Sequence, residues 1–188
     1  GQVASYIYSY PQNVVLREYE ESFNYGKFIG YPEVNVIDPF GQRHNHHFLA
    51  LGYKVDDPLF GRPTATYHYD GADILYSASQ TDWEEQGGFV YSPEQRNYTC
   101  FNDATTINTT DCVFQKTTHT YDFAYGNPLG SMEYLADGST PYRQTETEYF
   151  NNDTSGNWLI GLPKKQFLKD GNGNVLAESH FYYDNDTT

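Results

Sequence analysis

Short runs in which aromatic or apolar residues alternate with polar ones, each cut by Asp, Asn and Gly, constrain this chain more than any other feature. Thr64 to Tyr69 alternates, meets Asp70-Gly71, and Ile74 to Thr81 alternates away again. Val34 to Ile37 meets Asp38-Pro-Phe-Gly41 before Arg43 to Leu51, and Lys116 to Phe123 meets Tyr125 to Pro128 before Gly130 to Leu135. After Ala136-Asp-Gly138 comes Arg143 to Phe150, then the polar Asn151 to Asn157. Lys164 to Leu168 and Val175 to Tyr183 flank Asp170-Gly-Asn-Gly-Asn174. A period of two places alternate side chains on opposite faces of a strand, and the interrupting residues suit tight turns. Asn-Gly and Asp-Gly pairs suggest type I′ hairpins. Five or more consecutive hairpins predict an all-β, antiparallel meander. Helical periodicity is almost absent; Val14 to Phe23 comes nearest and reads as a strand.

The unit repeats in degenerate form, most clearly as PTATYHYDGADILYSASQTDW and PKKQFLKDGNGNVLAESHFYYD. One hairpin cannot bury its own face, so the copies are expected to stack side by side. No linker divides residues 1–188, which read as one domain. Composition fits a thin, wet sheet: 19 Tyr and 12 Phe with a mean hydropathy of -0.73. Tyr reconciles the two by burying a ring while its hydroxyl stays near water. The formal charge of -14 argues against nucleic acid, which needs Lys and Arg against phosphate. No apolar run approaches the length of a membrane-spanning helix.

Compartment is read from two features. Asn97, Asn108, Asn152 and Asn185 each begin an N-x-Thr sequon, and all four fall in polar stretches that read as turns. Each alone reads equally well as an unmodified turn residue. The only cysteines, Cys100 and Cys112, flank FNDATTINTTD. They read as a disulfide closing a polar loop rather than two free thiols, contributing about 2–3 kcal/mol. Together these point to the extracellular space or the cell surface, with glycans as covalent partners.

Asn157-Trp-Leu-Ile-Gly-Leu-Pro163 followed by LKDGNGNVLAESHFYYD resembles the Rhs/YD-repeat family. Leu59-Phe-Gly-Arg-Pro-Thr64 with YHYDGADILYSASQTDWEE, and the stretch from Phe28 to Gly41, resemble elements further upstream in large bacterial members. The residues carrying this signature are Tyr69, Asp70, Tyr121, Asp122, Gly173, Tyr183 and Asp184. The resemblance implies a ribbon of hairpins spiralling into a hollow shell, with relatives that enclose toxins or act in cell adhesion. A complete shell needs many more repeats, and the self-cleaving aspartyl core of the toxin shells has no counterpart. The segment is therefore expected to be excised from, or tandemly repeated in, a longer chain. Joined end to start, the termini read YYDNDTTGQVASYIY, a plausible repeat unit. That suggests strand addition between copies or neighbouring repeats.

Candidate chemistry is sparse. His44 and His46 share a strand face and invite a metal, but no further ligand has useful spacing, so His44, His46 and His47 read as surface histidines. Asp170 to Asn174 opens like a calcium loop, yet the sixth and twelfth positions are Val175 and Phe181. Asp82, Glu84 and Glu85 around Trp83 resemble a glycosidase pair with an aromatic platform, but read better as a solvated loop. Tyr6, Tyr8 and Tyr10, Tyr67 and Tyr69, and Tyr121, Phe123 and Tyr125 form aromatic stripes suited to cross-strand packing. No catalytic residue, metal or cofactor is expected. The reading is a non-enzymatic structural segment of an extracellular glycoprotein, building a shell or fibre. An adhesion or binding module and a piece of a toxin-enclosing shell are the alternatives.

Overall fold

The computed structural model describes residues 5–10, 16–18, 27–49, 57–152 and 159–183. Every regular element among them is a strand: β1 (Ile7–Ser9), β2 (Leu16–Glu18), β3 (Lys27–Gly30), β4 (Glu33–Ile37), β5 (Arg43–Phe48), β6 (Pro63–Tyr69), β7 (Leu75–Thr81), β8 (Glu84–Gln86), β9 (Phe89–Tyr91), β10 (Glu94–Cys100), β11 (Cys112–Asp122), β12 (Asn127–Tyr134), β13 (Pro141–Asn152), β14 (Leu159–Asp170) and β15 (Val175–His180). The chain divides into two units, Gly1–Phe114 and Gln115–Thr188.

In the first unit the strand order is β1-β4-β5-β6-β7-β10, with β2-β3 and β8-β9 as separate two-stranded sheets. All pairings are antiparallel. Within Val14 to Phe23, Leu16–Glu18 forms a strand and the rest lies outside the described residues. The buried apolar core is small: Leu75 is 0% exposed, with Cys100, Ala104 and Cys112 around it and Tyr67, Tyr69, Tyr98 and Ile107 against it. Cys100 and Cys112 form the expected disulfide. The loop they close folds back on the sheet, where Ala104 O accepts from Leu75 N at 2.7 Å, and its base is closed by Phe101 N donating to Asp111 O at 2.8 Å. The staple therefore holds a lid over Leu75.

The second unit runs β11-β12-β13-β14-β15 in chain order. No apolar side chain among its described residues is buried. Ladders and cross-strand pairs hold it instead. Glu133 lies opposite Arg143, whose guanidinium donates to both its carboxylate oxygens at 2.7 and 2.9 Å. Ser131 and Thr145 share a hydroxyl bond of 2.7 Å across the same pair of strands. Lys116 lies over the Tyr134 ring at 4.2 Å, and Tyr149 and Tyr183 donate to Pro128 O and Pro163 O at 2.8 and 2.7 Å. Pairs of this kind contribute about 0.2–1 kcal/mol each, so such a ribbon is stabilised by their number.

The hairpin turns differ from the expected two-residue type I′ form. Three share one three-residue loop, closed by Asp38 N to Gln42 O, Asp70 N to Ile74 O and Asp170 N to Asn174 O, each at 2.9 Å. The left-handed residue is the third of the loop: Gly41 at φ 82°, Asp73 at 63° and Gly173 at 87°. This is a type I turn followed by an αL residue, the usual solution for a three-residue hairpin. The physical reason is the aspartate. Asp38 Oδ1 accepts from Phe40 N and Gln42 N, Asp70 Oδ1 from Ala72 N and Ile74 N, and Asp170 Oδ1 from Asn172 N and Asn174 N. Each carboxylate thus occupies the inside of its own loop and draws in two amides. Gly171, beside Asp170, has no positive φ; a Cβ there would stand 2.1 Å from Pro141 O, so glycine is needed for room.

Candidate functional site

The repeat signature acquires a structural meaning from these turns. In Tyr69-Asp70 the aspartate closes the loop, and the tyrosine ends β6, packed against the Leu75 cluster with the Arg43 guanidinium 4.1 Å from its ring centroid. In Tyr121-Asp122 the carboxylate again accepts a loop amide, Ala124 N at 2.9 Å, and Asp122 O accepts from Gly126 N at 2.6 Å. Gly173 supplies the αL position, and Tyr183 ties its hydroxyl to Pro163. Asp184 lies outside the described residues.

The sequons are placed less uniformly than their composition suggests. Asn97 sits within β10, not in a turn. There the pattern alternates, so Asn97 and Thr99 are exposed while Arg96, Tyr98 and Cys100 face inward. Asn108 belongs to the disulfide loop, where its Oδ1 accepts from Thr110 N and Asp111 N at 3.0 and 2.8 Å. Asn152 is the last residue of β13, and Asn185 lies outside the described residues.

A groove of about 500 Å³ opens on the first unit. Its floor follows from register: His47, Ala65, Gln80 and Arg96 lie on one line across β5, β6, β7 and β10. The polar groups of this floor are held in place. Gln80 Nε2 donates to the Tyr67 hydroxyl at 3.3 Å, and Tyr98 donates to Gln80 Oε1 at 3.1 Å. Arg96 Nη2 lies 3.0 Å from Asp82 Oδ2 and also contacts Glu94. Partial burial works against the Arg96 charge, but the two carboxylates outweigh it and hold its pKa above the ordinary value. Trp83 forms one wall, its Nε1 donating to Pro63 O at 2.7 Å and the Arg62 guanidinium 5.3 Å from its ring.

The acidic cluster around Trp83 does not converge. Asp82 lines the groove, whereas Glu84 and Glu85 lie on β8, exposed, in a hairpin with β9 rather than an irregular loop. Glu84 accepts from Tyr91 at 2.6 Å and Glu85 from Gly88 N. A pair of carboxylates facing one substrate is therefore not assembled.

The histidines are rearranged as well. His44 meets His68 rather than His46: the two Nδ1 atoms are 2.7 Å apart. His46 Nδ1 lies 3.2 Å from Thr66 Oγ1, and His47 packs edge-on against Tyr67. Sequence reasoning singled out His44 but not His68, because their contact depends on the register of β5 with β6. Among the described residues no three His, Cys, Asp or Glu groups are arranged to hold a metal ion, and no helix is long and apolar enough to cross a membrane.

These observations define an all-β repeat module of stacked antiparallel hairpins, an architecture consistent with a structural role. No family model matches the chain, and no curated protein matches it. The likeness to the Rhs/YD repeats accordingly rests on the residues quoted above.

Proposed function

We propose that this chain is a structural segment of an extracellular glycoprotein, built from hairpins of the Rhs/YD type and stacked into a shell or fibre. The observation that carries the reading is the recurrence of one aspartate-closed, three-residue turn at Asp38, Asp70 and Asp170. A loop solved once and reused favours a scaffold that grows by repetition. Open strand edges support growth. Among the described residues β1 pairs only with β4, and β15 only with β14. Tyr6, Ile7 and Tyr8 near one edge, and Leu176 and Tyr182 near the other, are between 58% and 68% exposed. Such edges seek a further strand, from the same longer chain or a neighbouring copy, and the charge of -14 disfavours unregistered contacts. The disulfide supports an oxidising compartment, and exposed Asn97 offers a glycan acceptor.

Electron microscopy with sedimentation across a concentration range tests the assembly. Regular filaments or rings agree with it, whereas a monodisperse monomer at every concentration overturns growth by copies. Peptide mass spectrometry of protein from a glycosylating secretory host tests the rest, with modification expected at Asn97. The groove favours one second reading, a binding or adhesion module. Saturable binding by the monomer that is lost in Trp83→Ala would select it.

A further inference from the structure

The groove on the first unit opens where its floor is small. His47, Ala65, Gln80 and Arg96 stand in register across β5, β6, β7 and β10, and Ala65 leaves the space between its two longer neighbours unfilled. A directed chain of hydrogen bonds ends there. Tyr98 donates to Gln80 Oε1 at 3.1 Å, which fixes the amide so that its Nε2 donates to the Tyr67 hydroxyl at 3.3 Å. Tyr67 therefore accepts, and its own hydrogen is left to give. Its ring is anchored against the Leu75 cluster. Asp82 spends Oδ2 on Arg96 and retains Oδ1 as an acceptor, while Thr64 and Thr81 add hydroxyls to the lining. Trp83 spends Nε1 on Pro63 O, so its indole offers the groove a hydrocarbon surface.

We propose that this groove binds a neutral saccharide. Its electrostatics disfavour both kinds of charged ligand. An anion would have to draw Arg96 away from Asp82 and Glu94, against a chain charge of -14, and a cation would have to sit beside the Arg96 guanidinium. A peptide has no strand edge to join, because β5, β6 and β7 are each paired on both sides. A sugar ring is uncharged, and its hydroxyls both give and accept. That matches a phenol hydrogen, a carboxylate oxygen and two threonine hydroxyls on one lining. Its C–H face matches the indole wall. A volume of about 500 Å³ suits a small ligand and not a folded partner. Gln80, bonded at both ends, is a positioning residue that holds Tyr67 ready to donate. This inference rests on the second reading above, that the groove binds, and adds the chemical class of what it takes; it is independent of the scaffold role.

Binding of the whole 188-residue chain to a glycan array tests the proposal, with termini of glucose, galactose, mannose and N-acetylglucosamine as neutral probes and sialylated and sulfated glycans as anionic ones. Saturable binding to a neutral terminus is expected, its affinity changing by less than about twofold as added NaCl screens exposed charges. Ala65→Leu, which fills the floor, should weaken it about tenfold or more, and Tyr67→Phe, which deletes the donated hydrogen, about fivefold. Ser79→Ala, on the opposite face of β7, should leave it unchanged. Slow exchange of the Leu75 amide, bonded to Ala104 O, reports that each variant keeps its fold. Binding confined to anionic glycans, or lost as salt rises, keeps the groove as a binding site but overturns the neutral class. No saturable binding to any probe overturns both. Binding indifferent to Ala65→Leu and to Tyr67→Phe overturns the assignment to this groove.

Discussion

Individual positions in the turns carry unequal weight, and neighbouring glycines separate the two descriptions of a hairpin. In a type I′ turn at Asp70-Gly71, Gly71 would hold positive φ; here Asp73 holds it at 63°, and the space a Gly71 Cβ would enter contains only Gly41 O at 3.8 Å. Gly71→Ala is therefore expected to change stability by less than about 0.5 kcal/mol. Gly173→Ala, at φ 87°, should cost about 1 kcal/mol. Urea denaturation of both variants reads the difference, and the reverse ranking would restore the two-residue turn. Titration offers a second residue-level test within residues 115–188. Burial lowers the His119 pKa, so the unfolded chain takes up that proton first. Stability is then complete above about pH 6.5 and declines as the pH falls toward the folded value. Bonds from Thr140 and Ser139 hold Asp137 down to about 2, and those from Asn174 lower Asp170. Their contribution is present above about pH 4 and is lost as pH falls through the folded values. A pH series of denaturation midpoints should show both declines, and His119→Gln should weaken only the upper one, to which buried His46 and His68 also contribute.

Strands and loops were legible in the sequence to the degree that their inward residues were apolar. β6, β7 and β11 follow the alternation of Tyr, Thr and Ala, so period two located them, whereas β15, exposed throughout, was located by the Asp170 to Asn174 turn before it. β10 escaped that reading because Arg96 occupies an inward position, where its charge is balanced by Asp82 and Glu94 instead of being excluded. β8 and β9 escaped it because Glu84–Gln86 is exposed throughout and only three residues long. The groove was hidden for another reason: its floor draws one residue from each of four strands, and register rather than spacing aligns them. The disulfide loop was readable as a staple, but not as the cover over Leu75. A Cys100→Ser, Cys112→Ser variant should lose about 3 kcal/mol on the loop-entropy account. It should also accelerate amide exchange at Leu75, whose N–H donates to Ala104 O. Loss of stability with that amide still protected would mean that the lid closes without its staple.

At the scale of the molecule, the unequal cores of the two units set what unfolding should look like. Buried apolar side chains occur in Gly1–Phe114 but not among the described residues of Gln115–Thr188, and the division falls within β11. The single-domain reading of the sequence predicts one calorimetric transition, with equal calorimetric and van't Hoff enthalpies. Two resolved transitions, only one of them sensitive to reductant, would assign the units separate stabilities.

A turn that is closed by its own aspartate draws its hydrogen bonds from its own few residues. Asp38, Asp70 and Asp170 each satisfy their loop from within, so the instruction to reverse direction travels with the few residues that encode it. A gene carrying such hairpins can duplicate or drop one without rewriting its neighbours, provided that strands are gained or lost in pairs and the chain keeps its up-and-down sense. Length then becomes a quantity that evolution can adjust in discrete steps, much as a knitted row is lengthened by whole stitches.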